Sequence, residues 1–139
     1  MTTFVDSSIL FDLVSEEQND LTAWGAEQLA LAKGTGPVFV SDIVYSEFSY
    51  SMENVAAVDE AISSLALARC GFTNDALFRA AKAFRQYRET TPGNKTNVLP
   101  DFLIGALASA EGHPLLTRDP GRVRTYFPDV ELIAPASST

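Results

Sequence analysis

Apolar residues along the chain fall into short unbroken runs that alternate with longer segments of helical spacing. Thr2 to Val5 is β-branched and aromatic, which predicts a strand ending at Asp6. Ile9, Leu10, Phe11, Leu13 and Val14 then predict a helix capped by Ser7 or Ser8. Asp20 is an expected N-cap for a second helix through Trp24, Leu29 and Leu31, closing at Lys33 and Gly34. Val38, Phe39 and Val40 lie between Gly36-Pro37 and Ser41-Asp42, the pattern of a buried strand. Asp42 starts a helix carrying Ile43, Val44, Phe48 and Met52, with Glu47 one turn on from Ile43. Asn54 opens a helix through Val58, Ile62 and Leu65, and Asn74 another through Leu77, Phe78, Ala81, Phe84 and Tyr87; these two are expected to pair.

The run TTPGNKTN, Thr90 to Asn97, has the turn residues of a loop. Pro100 suits the start of a helix through Phe102, Leu103, Ala106, Leu107 and Ala110 that ends at Gly112. Pro114 to Thr117 reads as a strand, Pro120 to Phe127 as a short helix and Val130 to Ile133 as a last strand. Strands that alternate with helices and carry no polar alternation are those of a parallel sheet covered on both faces. The expected fold class is therefore α/β, three layers (α/β/α) around a central parallel sheet, with one domain over residues 1–134 and a tail over 135–139.

A chain of 139 residues with 46% hydrophobic and 20% charged residues has the composition of a globular domain. Phe102 to Ala110 is too short for a membrane span and is broken by Gly105 and Ser109. The N-terminal segment lacks a basic region and a small-residue cleavage site, so a soluble, cytoplasmic protein is expected. Cys70 is the single cysteine, which excludes an intrachain disulfide and favours a small residue buried in the fold. His113, the single histidine, excludes a catalytic histidine pair, and between Gly112 and Pro114 it reads as a turn residue. The net charge of −8, from 10 Lys and Arg against 18 Asp and Glu, excludes a broad basic surface for nucleic acid. It is compatible with carboxylates concentrated around a cation.

In an open parallel sheet the ligand site lies beyond the carboxyl ends of the strands. Asp6 follows the first strand and Asp119 follows LLTR; Asp101 lies in the first turn of a helix, and Glu47 lies in the helix behind the second strand. Singly, each has an ordinary explanation as a cap, a dipole partner or a solvated acid.

Together the segments FVDSSIL (Phe4 to Leu10), VYSEF (Val44 to Phe48), LPDFLIGALA (Leu99 to Ala108) and LLTRDPGRVRTYFP (Leu115 to Pro128) resemble a PIN domain of the VapC toxin group. The resemblance runs through nearly the whole chain in the family's order. It implies a metal-dependent endoribonuclease in which Asp6, Glu47, Asp101 and Asp119 are catalytic and hold Mg²⁺, with Mn²⁺ as a substitute, leaving a 5′-phosphate and a 3′-hydroxyl. Ser8 stands where the family often has a Ser or Asn beside the metal, and Thr117 where a hydroxyl near the pocket is common. Many relatives carry a further acid soon after the position of Asp119; here Arg122 and Val123 follow, and the next acid is Asp129. A second metal is then held weakly or only with RNA phosphate present. The resemblance also implies an RNA substrate, a VapB-type antitoxin partner and a homodimer, for which Tyr45, Phe48 and Tyr50 offer apolar surface.

The chemistry is consistent with those residue types. Mg²⁺ and Mn²⁺ take oxygen ligands and keep several waters. Carboxylates brought together without a cation repel at roughly 4 kcal/mol per pair ~4 Å apart in an effective dielectric near 20, so metal is expected to stabilise the fold. Arg118, Arg122 and Arg124 flank Asp119, and Lys95 precedes Asp101; Lys95, Arg118 and Arg122, with Ser8 and Thr117, are the candidate substrate contacts. Each basic residue is equally well explained by pairing with one of the acids. Arg79, Lys82, Arg85 and Arg88 drift around a helix and read as a solvated face. Competing readings are a catalytically inactive module of the same fold that binds RNA, and a phosphoacceptor aspartate. The second fits less well, because Ser8 stands where a phosphatase needs a second aspartate and Arg118 where a receiver needs lysine.

Overall fold

The computed structural model describes residues 1–91, 93 and 98–136. Five strands form one sheet: β1 (Thr3–Val5), β2 (Val38–Ser41), β3 (Ala68–Cys70), β4 (Leu115–Leu116) and β5 (Leu132–Ile133). Seven helices connect them among the described residues: α1 (Ser7–Val14), α2 (Asp20–Thr35), α3 (Asp42–Ser49), α4 (Val55–Ser64), α5 (Asn74–Thr90), α6 (Leu99–Glu111) and α7 (Gly121–Tyr126). All neighbouring strands are parallel, in the order β3-β2-β1-β4-β5. This is the α/β fold with a central parallel sheet that the strand and helix pattern predicts.

Every residue of β1, and Val38, Val40 and Ser41 of β2, is buried, because helices cover both faces of these inner strands. Ile9, Leu10, Val44, Phe48, Phe102, Leu107, Leu115 and Leu116 fill the core around them. From β1 the chain goes to β2 and β3 on one side and returns to β4 and β5 on the other. The strand order therefore reverses between β1 and β4, and the crevice beyond their carboxyl ends is where such a sheet takes a ligand.

The structure corrects several local readings. The cap of α1 is Asp6, whose carboxylate accepts from the Ser7 N–H, rather than Ser7 or Ser8. Asn19 caps α2 and Thr73 caps α5, each one residue ahead of the expected cap, because each places an oxygen on the N–H two or three residues on; α3 starts at Asp42 as expected, with Ser41 as its cap. Asn54 caps α4 as expected, and Gly112 ends α6 with left-handed φ of 70°. Strand β3 carries no apolar run: Ala68 and Arg69 are exposed and Cys70 is half-buried, so backbone pairing with β2 at the sheet edge defines it. That strand separates α4 from α5, and α5 packs on α6 instead, through Phe84, Tyr87 and Phe102.

Cys70 is thus less enclosed than a core position; its thiol meets the Gly71 carbonyl, and partial burial pushes its pKa up. His113 lies in the link between α6 and β4, its N–H donating to the Ala108 carbonyl and its ring 5.9 Å from that of Phe4. Phe48 is fully enclosed, which removes it from any dimer face; Tyr50 is 94% exposed, and the Tyr45 ring lies under Arg69. Arg79, Lys82, Arg85 and Arg88 are exposed along α5, as a solvated face would be. Among the described residues no helix is long and apolar enough to cross a membrane.

Candidate active site

The β1–β4 crevice begins with main-chain register. Val5 pairs with Leu116, the Asp6 N–H donates to the Leu116 carbonyl, and the next residues, Asp6 and Thr117, stand side by side where both strands end. Thr117 is 1% exposed, and its hydroxyl donates to Asp6 Oδ2 at 2.8 Å. The Ser8 hydroxyl donates to the same oxygen at 2.8 Å, and the Ser7 N–H donates to Oδ1 at 2.9 Å. The loop after β4 orients both hydroxyls: the Arg118 N–H donates to Ser8 Oγ and the Asp119 N–H to Thr117 Oγ1. Asp6 is thereby held by donors from two segments more than a hundred residues apart in sequence.

Glu47 reaches the same place from α3, accepting from the Ser7 hydroxyl at 2.9 Å. Burial raises the pKa of Asp6 more than the Thr117, Ser8 and Ser7 donors lower it, and the charge of Asp101 adds to the rise. Glu47 is likewise raised, first by burial and then by the charges of Asp6 and Asp101, against the Ser7 hydroxyl. These carboxylates lie close enough to feel one another. Asp6, Asp101, Thr117, Asp119 and Arg122 line one narrow cavity together with the apolar side chains of Ile104, Leu115 and Val123. An open cleft of about 720 Å³ adjoins it, sharing Asp101, Asp119 and Arg122 and extending past Arg118, Tyr87, Thr125 and Tyr126.

Close helix packing places Asp101 against Arg122. Gly105, one turn beyond Asp101 on α6, faces Phe127 and Val123 so closely that an added Cβ would stand 2.6 Å from the Phe127 ring. Arg122 on α7 then meets Asp101 with Nη1 2.7 Å from Oδ2, its guanidinium 5.4 Å from the Tyr87 ring centroid and 6.0 Å from that of Phe102. Arg118 pairs with Asp12 of α1 at 2.8 Å and remains 37% exposed toward the cleft.

The structure thus brings Asp6, Asp101 and Asp119 to one cavity, with Glu47 tied in through Ser7 and with Ser8 and Thr117 on Asp6. Arg118 and Arg122 line the cleft; Arg124 is exposed on α7 and is not among the lining residues, and Lys95 lies outside the described residues. Ser7 and Asp12 escaped the sequence reading. Ser7 had a signal in the VDSS string, but Asp12 pairs with Arg118 across 106 positions and had none. Among the described residues, no three His, Cys, Asp or Glu side chains stand close enough to hold a metal ion in this arrangement. The donor set still suits a hard divalent cation: it is made of carboxylates, two of which, Asp6 and Glu47, feel the negative charge of Asp101, and Asp101 already carries a cationic guanidinium.

The PIN domain family model matches residues 3–128. No curated protein matches the chain. Among solved structures, the chain is similar to VapBC2 from Rickettsia felis bound to a promoter DNA fragment, at 16% identity and a TM-score of 0.73, covering 98% of this chain and 100% of that one. VapBC-1 from nontypeable Haemophilus influenzae gives 15% identity and 0.72, over 96% and 98% of the two chains. VapC20 from Mycobacterium tuberculosis, a sarcin-ricin loop cleaving toxin, gives 19% and 0.60, over 93% and 98%. Such identities carry the fold, and the family match spans the elements that build the acidic crevice, so this chain belongs to the PIN domain family.

Proposed function

We propose that the chain is an endoribonuclease dependent on Mg²⁺ or Mn²⁺, the toxin of a VapBC-type toxin–antitoxin pair. The observation that carries this reading is the convergence of Asp6, Asp101 and Asp119 on one cavity at the switch point of the sheet, with Glu47 coupled to Asp6 and Asp101. The structural likeness to toxins, one of them a cleaver of the sarcin-ricin loop, supports it.

In this reading Asp6, Asp101 and Asp119 would hold the cation, with Glu47 beside them, tied in through Ser7. A divalent cation there supplies a nucleophilic water near neutral pH and offsets charge on the phosphoryl oxygens. The protein's own part is positional. Ser7, Ser8 and Thr117 fix the carboxylate of Asp6, and the pair with Asp12 holds Arg118 at the cleft, where guanidinium groups bind phosphate oxygens. With a net charge of −8, RNA is engaged at these few arginines rather than over the whole surface, and a basic segment of an antitoxin is a complementary occupant of the same crevice.

The test is incubation of RNA with the purified protein in Mg²⁺, Mn²⁺ or chelator, beside Asp101→Asn. Discrete fragments that require metal and disappear in the variant are expected. RNA bound but left intact under every condition by both proteins would replace the nuclease with an RNA-binding module.

A further inference from the structure

Four observations single out Arg122. Its guanidinium makes a 2.7 Å ion pair with Asp101. It rests on the Tyr87 and Phe102 rings, on a helix locked against α6 at Gly105, so its position follows from packing and is not that of a free surface arginine. It lines the same cavity as Asp6, Asp101 and Asp119. And the acids of that cavity, of which Asp6 and Asp101 are electrostatically coupled, do not stand as a ready metal shell among the described residues.

We propose that Arg122 is a built-in counter-ion that occupies the cation's place at Asp101 and must leave it for a divalent metal to bind. The inference rests on the proposed metal-dependent function and adds to it a competitor within the chain. Its physical basis is a simple exchange. Asp101 faces the negative field of Asp6 and Glu47, and in the metal-free protein a fixed positive group there offsets that repulsion. A metal takes over the same role only after the Asp101 carboxylate gives up its guanidinium hydrogen bond, so part of the metal's binding free energy is spent on displacing Arg122. The arginine is 31% exposed and lines the open cleft as well, so a displaced guanidinium would stay at the cleft, free to bind a phosphate oxygen. Metal-loading and phosphate capture are thereby linked: the cation that completes the site also releases a phosphate ligand.

The experiment is calorimetric titration of MnCl₂ into the metal-free full chain, comparing wild type with Arg122→Gln, Arg122→Lys and Asp101→Asn, each shown to be folded by circular dichroism. Arg122→Gln is expected to bind Mn²⁺ about two- to fivefold more tightly than wild type, a change on the scale of one partly exposed ion pair. Arg122→Lys, which keeps the charge, is expected between the two, and Asp101→Asn weaker than wild type. Affinity unchanged or lowered in Arg122→Gln, with wild type binding Mn²⁺ at a site lost in Asp101→Asn, overturns the counter-ion while leaving the metal site intact. Absence of Mn²⁺ binding in wild type and in both Arg122 variants overturns the metal-dependent reading, and the counter-ion with it.

Discussion

Thr117→Val isolates the contribution of one hydroxyl to the site. The side chain is almost wholly buried, and valine keeps its branched shape, so packing changes little while the donor to Asp6 Oδ2 and the acceptor for the Asp119 N–H are both lost. A hydrogen bond to a charged acceptor contributes about 1.5–3 kcal/mol and a neutral one about 1 kcal/mol. The expected loss in chelator is therefore about 2.5–4 kcal/mol while Asp6 is ionised and about 2 kcal/mol once it is protonated, with melts at about pH 8 and about pH 4 to span the change. The sign follows from the Asp6 pKa. Burial already raises it in the wild type, and the Thr117 donor lowers it, so the variant's folded-state pKa is higher still while the unfolded value is unchanged. Protonation then stabilises the folded variant more than the folded wild type, and the gap narrows as pH falls through the folded-state values. Urea unfolding of both proteins at the two pH values measures it. A cost below about 0.5 kcal/mol at the higher pH, or a cost that grows as pH falls, would refute the role given to this hydroxyl.

Asp6 and Glu47 both have raised folded-state pKa values, so in chelator their contribution favours folding at low pH and is lost as pH rises from the unfolded-state values through the raised folded ones. Asp6→Asn is expected to flatten this decline in a series of urea melts, and an unchanged slope would assign it to other groups. Gly105→Ala is expected to destabilise the protein by about 1–3 kcal/mol, because its Cβ would collide with the Phe127 ring; thermal unfolding checks it, and a neutral result would mean that α7 moves away easily. The same substitution should weaken the Asp101–Arg122 pair, since the close approach of α6 and α7 is what brings the two side chains together.

Inner elements were legible in the chain because their signals are local. Runs such as FV and VFV are apolar where both faces of a strand are covered, and the helices announce themselves by apolar spacing and by caps of Asn, Ser or Thr. The caps of α2 and α5 lie one residue ahead of the expected ones, since neighbouring polar residues compete as caps and only backbone geometry decides among them. Strand β3 was not legible: an edge strand with exposed side chains is defined by hydrogen bonds to β2, which no pattern in Ala68, Arg69 and Cys70 records. For the same reason α5 could not be assigned to α6 rather than to α4.

The amino-acid sequence by itself determined the fold class and the positions of Asp6, Glu47, Asp101 and Asp119, because a residue's place at a strand end or in a helix's first turn depends on its neighbours along the chain. Tertiary structure decided what those acids touch. The strand order brings Asp6 beside Thr117, the loop after β4 orients Ser8, and the approach of α7 to α6 gives Asp101 the guanidinium of Arg122. Each of these is a contact between segments far apart in sequence, and its existence depends on packing that is set by the whole core at once rather than by any short stretch of residues.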